Sequence, residues 1–223
     1  MMVRGNDGAV MSTDPISQAA RRQFPQSIVT LDLEGVLVPE IWIAVAEQTG
    51  IDELRRTTRD EPDYDTLMAY RLEILEREAL TLDRIRSVIA QIAPLAGAVE
   101  FLDRLREMTQ VIILSDTFEQ FAAPLMQQLG YPTIMCHRLI IDGDQIVGYR
   151  LRQDNPKQRA VVALQALNYR VIAAGDSYND ITMLEQADEA VLFRAPQNVR
   201  DAYPNLAACE DYDELFSMIR AHL

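Results

Sequence analysis

The residues of this chain that could do chemistry are mostly acids, and they gather where short apolar runs end. Ile28-Val29-Thr30-Leu31 runs into Asp32-Leu33-Glu34-Gly35, Val111-Ile112-Ile113-Leu114 into Ser115-Asp116-Thr117, and Val171-Ile172-Ala173-Ala174 into Gly175-Asp176-Ser177-Tyr178-Asn179-Asp180. Lys157 opens the helical pattern that precedes the last of these runs. Short apolar, β-branched runs of this kind read as strands buried on both faces, and in an open parallel sheet ligands bind at the carboxyl ends of the strands. Taken alone, Asp-Leu-Glu-Gly would read best as a strand entering a solvated acidic turn, but the other strand ends overturn that reading. The carboxylates of Asp32, Glu34, Asp116, Asp176 and Asp180, converging on one sheet edge, repel each other unless a cation sits among them. An oxygen-only donor set without His or Cys selects a hard ion, Mg²⁺ with retained waters. Lys157 and the backbone N–H groups near Ser115 and Gly35 then suit an anion held against that ion. A metal, a lysine and an anion pocket beside a carboxylate nucleophile describe phosphoryl transfer.

The elements that must position these groups follow from the pattern. Strands alternating with helices predict an α/β fold with a doubly wound parallel sheet. Directly after the first strand, Pro39-Glu40 turns the chain into a helix from Ile41 to near Gly50, then a short charged helix and turn up to Asp60. Helices starting at Pro62-Asp63 and capped by Thr81 complete an all-helical block over 39–95, with Tyr64, Leu67, Met68, Arg71, Leu72 and Leu75 at helical spacing. Helices inserted beside a site act as a lid. The core resumes with a helix over 97–108, the strand at Val111, a helix from Phe118, a hairpin about Asp142-Gly143-Asp144, and a last clear strand at Ala190–Phe193. The domain reading is therefore a disordered leader at 1–27, a core at 28–38 and 96–223, and a cap at 39–95.

The four motifs, in order at four strand or helix ends, resemble those of the haloacid dehalogenase superfamily of phosphohydrolases, over essentially everything from Ile28 onward. The helical block resembles the cap of its phosphoserine phosphatase branch, which implies a Rossmann-like core. Within that branch, Asp-Leu-Glu-Gly-Val-Leu-Val-Pro-Glu-Ile-Trp and Leu-Ser-Asp-Thr resemble members that also pass phosphate to homoserine. The resemblance implies that Asp32 is the nucleophile and becomes phosphorylated, and that Glu34 is the general acid and base. It implies Mg²⁺ held by Asp32, the main-chain carbonyl of Glu34 and Asp176, with Asp180 orienting the shell or ligating directly. Ser115, Lys157 and Asn179 are expected on phosphoryl oxygens. Glu40 and Arg71 are expected on the ammonium and carboxylate of phosphoserine, although Glu40 also reads as a charge at a helix N-terminus and Arg71 as a partner of Asp63, Glu73 or Glu76 on an exposed face. Two departures stand out. Glu34 occupies a position where the branch has Asp, and Asp116 one where it commonly has Gly.

Composition narrows the partners. Across 223 residues the formal net charge is −13, which argues against nucleic acid or anionic membrane and leaves small-molecule substrates bound at a local positive site. Residues 1–27 contain no apolar block that would make a secretory signal, and no run is long enough to span a bilayer. Cys136 and Cys209, far apart, make neither a disulfide framework nor a zinc site, and a cytoplasmic location fits. His137 and His222 are isolated in the sequence and offer no histidine chemistry. Arg152 reads as a surface residue. An oligomer is compatible with the sequence. The rival functions are a phosphatase for another small phosphate ester, a metabolite-binding module without catalysis, and a phosphoprotein phosphatase, which the cap disfavours.

Overall fold

The computed structural model describes residues 26–58, 60–61 and 63–223. The expected leader over 1–27 lies almost wholly outside these residues; its last two positions, Gln26 and Ser27, already pair with Tyr169 and Arg170 in the sheet. Among the described residues a seven-stranded sheet forms in the order β4-β3-β2-β1-β5-β6-β7. Its strands are β1 (Gln26–Leu31), β2 (Gln110–Phe118), β3 (Thr133–Asp142), β4 (Gln145–Arg150), β5 (Tyr169–Gly175), β6 (Glu189–Phe193) and β7 (Ala207–Cys209). Pairing is parallel except between β3 and β4, which form the expected hairpin.

Residue alternation along the central strands explains why the sheet is covered on both sides. Val29, Leu31, Ile172, Ala174 and Phe193 enter one apolar core, while Ile28, Val171, Ala173 and Leu192 enter the other. Neighbouring side chains on a strand point to opposite faces, so a continuous apolar run needs two cores. Helices α4 (Ala98–Arg106) and α9 (Tyr212–Arg220) supply the first core with Phe101, Leu105, Leu215 and Ile219. Helices α6 (Pro156–Ala166) and α7 (Ile181–Gln186) supply the second with Val161, Leu164 and Leu184. Between β2 and β3 runs α5 (Glu119–Gln128), and α8 (Gln197–Ala202) links β6 to β7.

The block between β1 and α4 is helical, as expected: α1 (Ile41–Thr49), a 3-10 turn at Asp52–Arg55, α2 (Tyr64–Arg77) and α3 (Leu82–Ile89). Asp63 and Thr81 cap α2 and α3 by accepting the N–H groups of Thr66 and Arg84. Trp42 of α1 meets Phe121 of α5 edge-on at 5.4 Å between ring centroids, joining block and core through one aromatic pair. The hairpin reaches the block from the other side, where the Asp144 carbonyl accepts the N–H of Leu82.

Three element boundaries differ from expectation. β2 continues past the expected end at Leu114, through Ser115-Asp116-Thr117 to Phe118, with a register shift against β3. β3 starts at Thr133, six residues before the expected hairpin strand, because its first half pairs with β2 before the second half pairs with β4. Finally β7, three residues long, lies beyond the strand expected to be last.

Candidate active site

The chain runs β1, β2, β3 toward one edge of the sheet and then crosses to β5, β6, β7 on the other side of β1. The crevice at such a reversal lies above the carboxyl ends of β1 and β5, where Asp32 and Asp176 stand. The Asp32 N–H donates to the Ala174 carbonyl at 3.0 Å, extending the β1–β5 ladder by one residue and fixing the direction of the side chain. The chain then closes a tight loop: the N–H groups of Leu37 and Val38 donate to the Leu33 carbonyl at 2.8 and 3.0 Å. Gly35 is required in this loop. Its φ is +79°, and a Cβ there would sit 2.5 Å from the carboxyl carbon of Asp176. Gly175 is equally constrained, since its Cβ would fall 2.5 Å from the Asp180 side chain.

Oxygens of Asp32, Asp176 and Asp180 all lie within 4.8 Å of one another, and all three residues are buried. Asp180 is held by its own loop, with Oδ2 accepting the N–H groups of Asp176 and Ser177 at 3.0 and 3.2 Å. Lys157 crosses to the cluster from the first turn of α6, donating to Asp32 Oδ1 at 2.8 Å and Asp180 Oδ1 at 2.6 Å, with Asp116 Oδ2 at 3.6 Å. A cation at a helix N-terminus opposes the helix dipole, and burial further disfavours its charge. Three carboxylates outweigh both effects: burial pulls the ammonium down, yet Asp180, Asp32 and Asp116 hold it well above its ordinary value. Burial, together with Asp180 and Asp176, pushes the Asp32 carboxyl well up despite Lys157. One lysine therefore leaves the cluster short of positive charge. The oxygen-only donors, their spacing and the close approach kept open by Gly35 fit a hard divalent cation.

Ser115 is buried at the register shift in β2, its Oγ accepting the Thr117 N–H at 3.2 Å. Beside it, Asp116 accepts a hydrogen bond from Asn179 Nδ2 at 3.0 Å and faces His137 Nε2 at 3.5 Å. Burial would raise the Asp116 carboxyl, but Lys157, His137 and Asn179 hold it well below the usual carboxylate range. Tyr64 of α2 donates to the Asp116 carbonyl at 3.1 Å, a direct tie between the helical block and the strand end.

The opposite wall belongs to the helical block. Glu34 Oε2 accepts the N–H of Ile41, the first residue of α1, at 2.8 Å. Burial and the nearby Glu40 push the Glu34 carboxyl up to about 8. Arg71 is buried, its guanidinium stacked 4.6 Å from the Trp42 ring centroid, with Nη2 donating to the Arg56 carbonyl at 2.9 Å. Its Nε is fully enclosed without a hydrogen-bond partner, and burial lowers its pKa to about 10. A buried guanidinium on the wall of a cleft is suited to a carboxylate ligand.

One cleft unites both walls. Asp32, Glu34, Glu40, Arg71, Ser115, Asp176 and Asn179 line it, whereas Lys157 and Asp180 stand behind Asp32, buried. All nine residues expected at a site are thus gathered in one place. Sequence reasoning missed His137, Tyr64 and Thr57, the last two on the cleft wall. Nothing in a lone histidine marks its place; only the run of β3 beside β2, with His137 opposite Phe118, puts it next to Asp116. Arg152, read as a surface residue, is half-exposed and donates to the Cys136 carbonyl at 3.0 Å.

The chain is similar to known proteins over most of its length. The model of the haloacid dehalogenase-like hydrolases matches residues 4–188. A protein of Pseudomonas aeruginosa named phosphoserine phosphatase ThrH is 60% identical over 189 residues, covering 84% of this chain and 92% of its own length. A phosphoserine phosphatase of Pseudomonas syringae pv. tomato is also 60% identical, covering 84% of this chain and 80% of its own. Among solved structures, a phospho-aspartyl intermediate analogue of phosphoserine phosphatase superposes with a TM-score of 0.71 at 18% identity, over 87% of this chain and 99% of that one, which speaks for the fold.

Proposed function

The chain belongs to the haloacid dehalogenase-like hydrolases, and on that premise we propose that it is a Mg²⁺-dependent phosphoserine phosphatase that also transfers the phosphoryl group to homoserine. The observation that carries the substrate is the buried Arg71, a cation on the wall of the same cleft that Asp32 lines. The two Pseudomonas relatives named as phosphoserine phosphatases support it.

In this reading residues 39–95 form a cap over a core of 26–38 and 96–223. Arg71 takes the carboxylate of O-phospho-L-serine and Glu40 its ammonium. Asp32, the Glu34 carbonyl and Asp176 would hold Mg²⁺, with Asp180 orienting Lys157 and the loop behind them. The bound ion would neutralise charge on the phosphoryl oxygens and lower the repulsion that Asp32 otherwise meets. Ser115, Lys157 and Asn179 hold those oxygens as charge builds on them. The free oxygen of Asp32 attacks phosphorus in line; an Asp32 O–P bond forms as the bond to the serine oxygen breaks. Glu34, which burial keeps protonated at neutral pH, gives its proton to the departing serine oxygen. The resulting Glu34 carboxylate then takes a proton from water, whose oxygen attacks phosphorus and frees Asp32. Homoserine in place of that water yields phosphohomoserine by the same electron flow.

Glu34 reaches the N-terminus of α1 where the shorter Asp would fall short by one methylene, so the acid is tied to the cap. No described helix is long and apolar enough to cross a membrane, both cysteines are free and buried, and we place the enzyme in the cytoplasm, acting on small molecules. Assay of L-phosphoserine with Mg²⁺, with and without L-homoserine, tests the reading. Phosphate release with part diverted to phosphohomoserine is expected. Release unaffected by homoserine removes the transfer, and no turnover removes the substrate.

A further inference from the structure

His137 and Asp116 have no part in the chemistry described so far, yet Asp116 lines the cleft and His137 is buried against it. His137 is 3% exposed, and both ring nitrogens are engaged. The Arg152 N–H donates to Nδ1 at 3.2 Å, so the ring proton sits on Nε2, which faces Asp116 Oδ1 at 3.5 Å. The rings of Tyr64 and Phe118 flank the imidazole at 6.1 and 6.4 Å between centroids, limiting its freedom to turn. The other Asp116 oxygen accepts the Asn179 amide at 3.0 Å and lies 3.6 Å from Lys157 Nζ. Its carbonyl accepts the Tyr64 hydroxyl. One residue of β2 thus gathers groups from β3, from α6 and from the loop after β5.

Lys157 is hydrogen-bonded to Asp32 and Asp180 and lies within ion-pair distance of Asp116 as well. Without Asp116, the ammonium would lose its third carboxylate, and Asn179 would lose the acceptor that aims its amide.

We propose that His137 and Asp116 are a positioning pair: His137 fixes the Asp116 carboxylate, and Asp116 places Asn179 and Lys157 where phosphoryl oxygens are held beside Asp32. The proposal rests on the phosphatase reading above. The alternative is a buried histidine that merely satisfies its own hydrogen bonds, whose loss would cost stability and leave the chemistry of folded protein untouched.

The test uses p-nitrophenyl phosphate with saturating Mg²⁺, a substrate that has neither ammonium nor carboxylate for the cap to bind. His137→Phe keeps a ring in the site and removes both the hydrogen bond from Arg152 and the contact to Asp116. We expect kcat per folded molecule to fall about tenfold with KM within about twofold, because misplaced phosphoryl-holding groups act on the transition state. Asp116→Ala should show the same loss, and the double variant should be no slower than the slower single. His137→Gln, which restores a donor toward Asp116, should recover part of the loss. A folded His137→Phe within about twofold of wild type in kcat, or losses that multiply in the double variant, would overturn the pairing. If His137→Phe does not fold, Asp116→Ala and Asp116→Asn decide. A loss in Ala that Asn partly restores supports the pair, and an unchanged kcat in Ala refutes it. If wild-type protein turns over L-phosphoserine but not p-nitrophenyl phosphate, the same variants are compared on L-phosphoserine with the same expected losses; wild-type protein inert toward both esters would bring down the phosphatase reading itself, and this proposal with it.

Discussion

The two walls of the cleft are built on different principles. On the sheet side, the three clustered acids are held by backbone geometry: Asp32 by the ladder to Ala174, Asp180 by the N–H groups of its own loop, and the approach of Asp176 by the missing Cβ of Gly35. On the helical side, Arg71 is held by packing over the Trp42 ring and by a hydrogen bond to the Arg56 carbonyl. A wall set by backbone keeps one geometry for reacting atoms, and a wall set by side chains can change its ligand without disturbing the chemistry. The contrast predicts that damage to the sheet side abolishes turnover of every phosphate ester, while damage to the helical side changes which ester is preferred.

The largest effect is expected from Asp32→Asn, which removes the nucleophile and should lower kcat by at least about 10³-fold on phosphoserine and p-nitrophenyl phosphate alike. Equal loss on both substrates is the signature of the sheet side. Lys157→Met probes the same wall through stability. It leaves Asp32 and Asp180 buried without their cation, which should cost about 3–5 kcal/mol in chemical denaturation with EDTA present. Mg²⁺ added back should recover part of that loss, since a divalent ion among Asp32, Asp176 and Asp180 replaces the missing charge. No Mg²⁺-dependent recovery would mean that these carboxylates do not form the ion's site.

Arg71→Ala should reverse the pattern. Steady-state kinetics should show kcat/KM for phosphoserine falling about 10²-fold, mostly through KM, with p-nitrophenyl phosphate within about threefold. Arg71→Lys should rescue poorly, because an ammonium can neither stack flat on Trp42 nor offer two parallel donors. Equal losses on the two substrates would erase the distinction between the walls. The smallest effect should come from Glu40→Gln, at the partly exposed N-terminus of α1: about a three- to tenfold rise in KM for phosphoserine, less than Arg71→Ala, since an exposed ion pair is screened.

The same contrast explains what could be read without a structure. Asp32, Ser115, Asp176 and the doubly wound sheet were legible because a strand end is a local event: an apolar run, a stop, and an acid whose direction the backbone sets. Lys157 was legible from its order among the motifs, and the pocket it enters was implied by the charge it had to balance. Arg71 was legible as a position on a helix, but its burial was not, because the choice between an exposed ion pair and an enclosed guanidinium depends on where Trp42 lies. His137 was illegible. Its meaning comes from the pairing of β3 with β2, which no local pattern encodes. The extension of β2 past Ser115 was hidden for a related reason, since Ser, Asp and Thr suit a helix cap as well as an irregular strand, and only the neighbouring strand decides.

The central claim, that Asp32 carries the phosphoryl group between donor and acceptor, is tested most directly by rapid acid quench. Protein mixed with L-phosphoserine and Mg²⁺ is stopped within one turnover and its peptides are weighed by mass spectrometry. The account predicts one added phosphoryl group on the peptide containing Asp32, labile to hydroxylamine and lost when water or homoserine is given time to accept it. Phosphate on any other residue, or full turnover with the Asp32 peptide never modified at any time point, would contradict it.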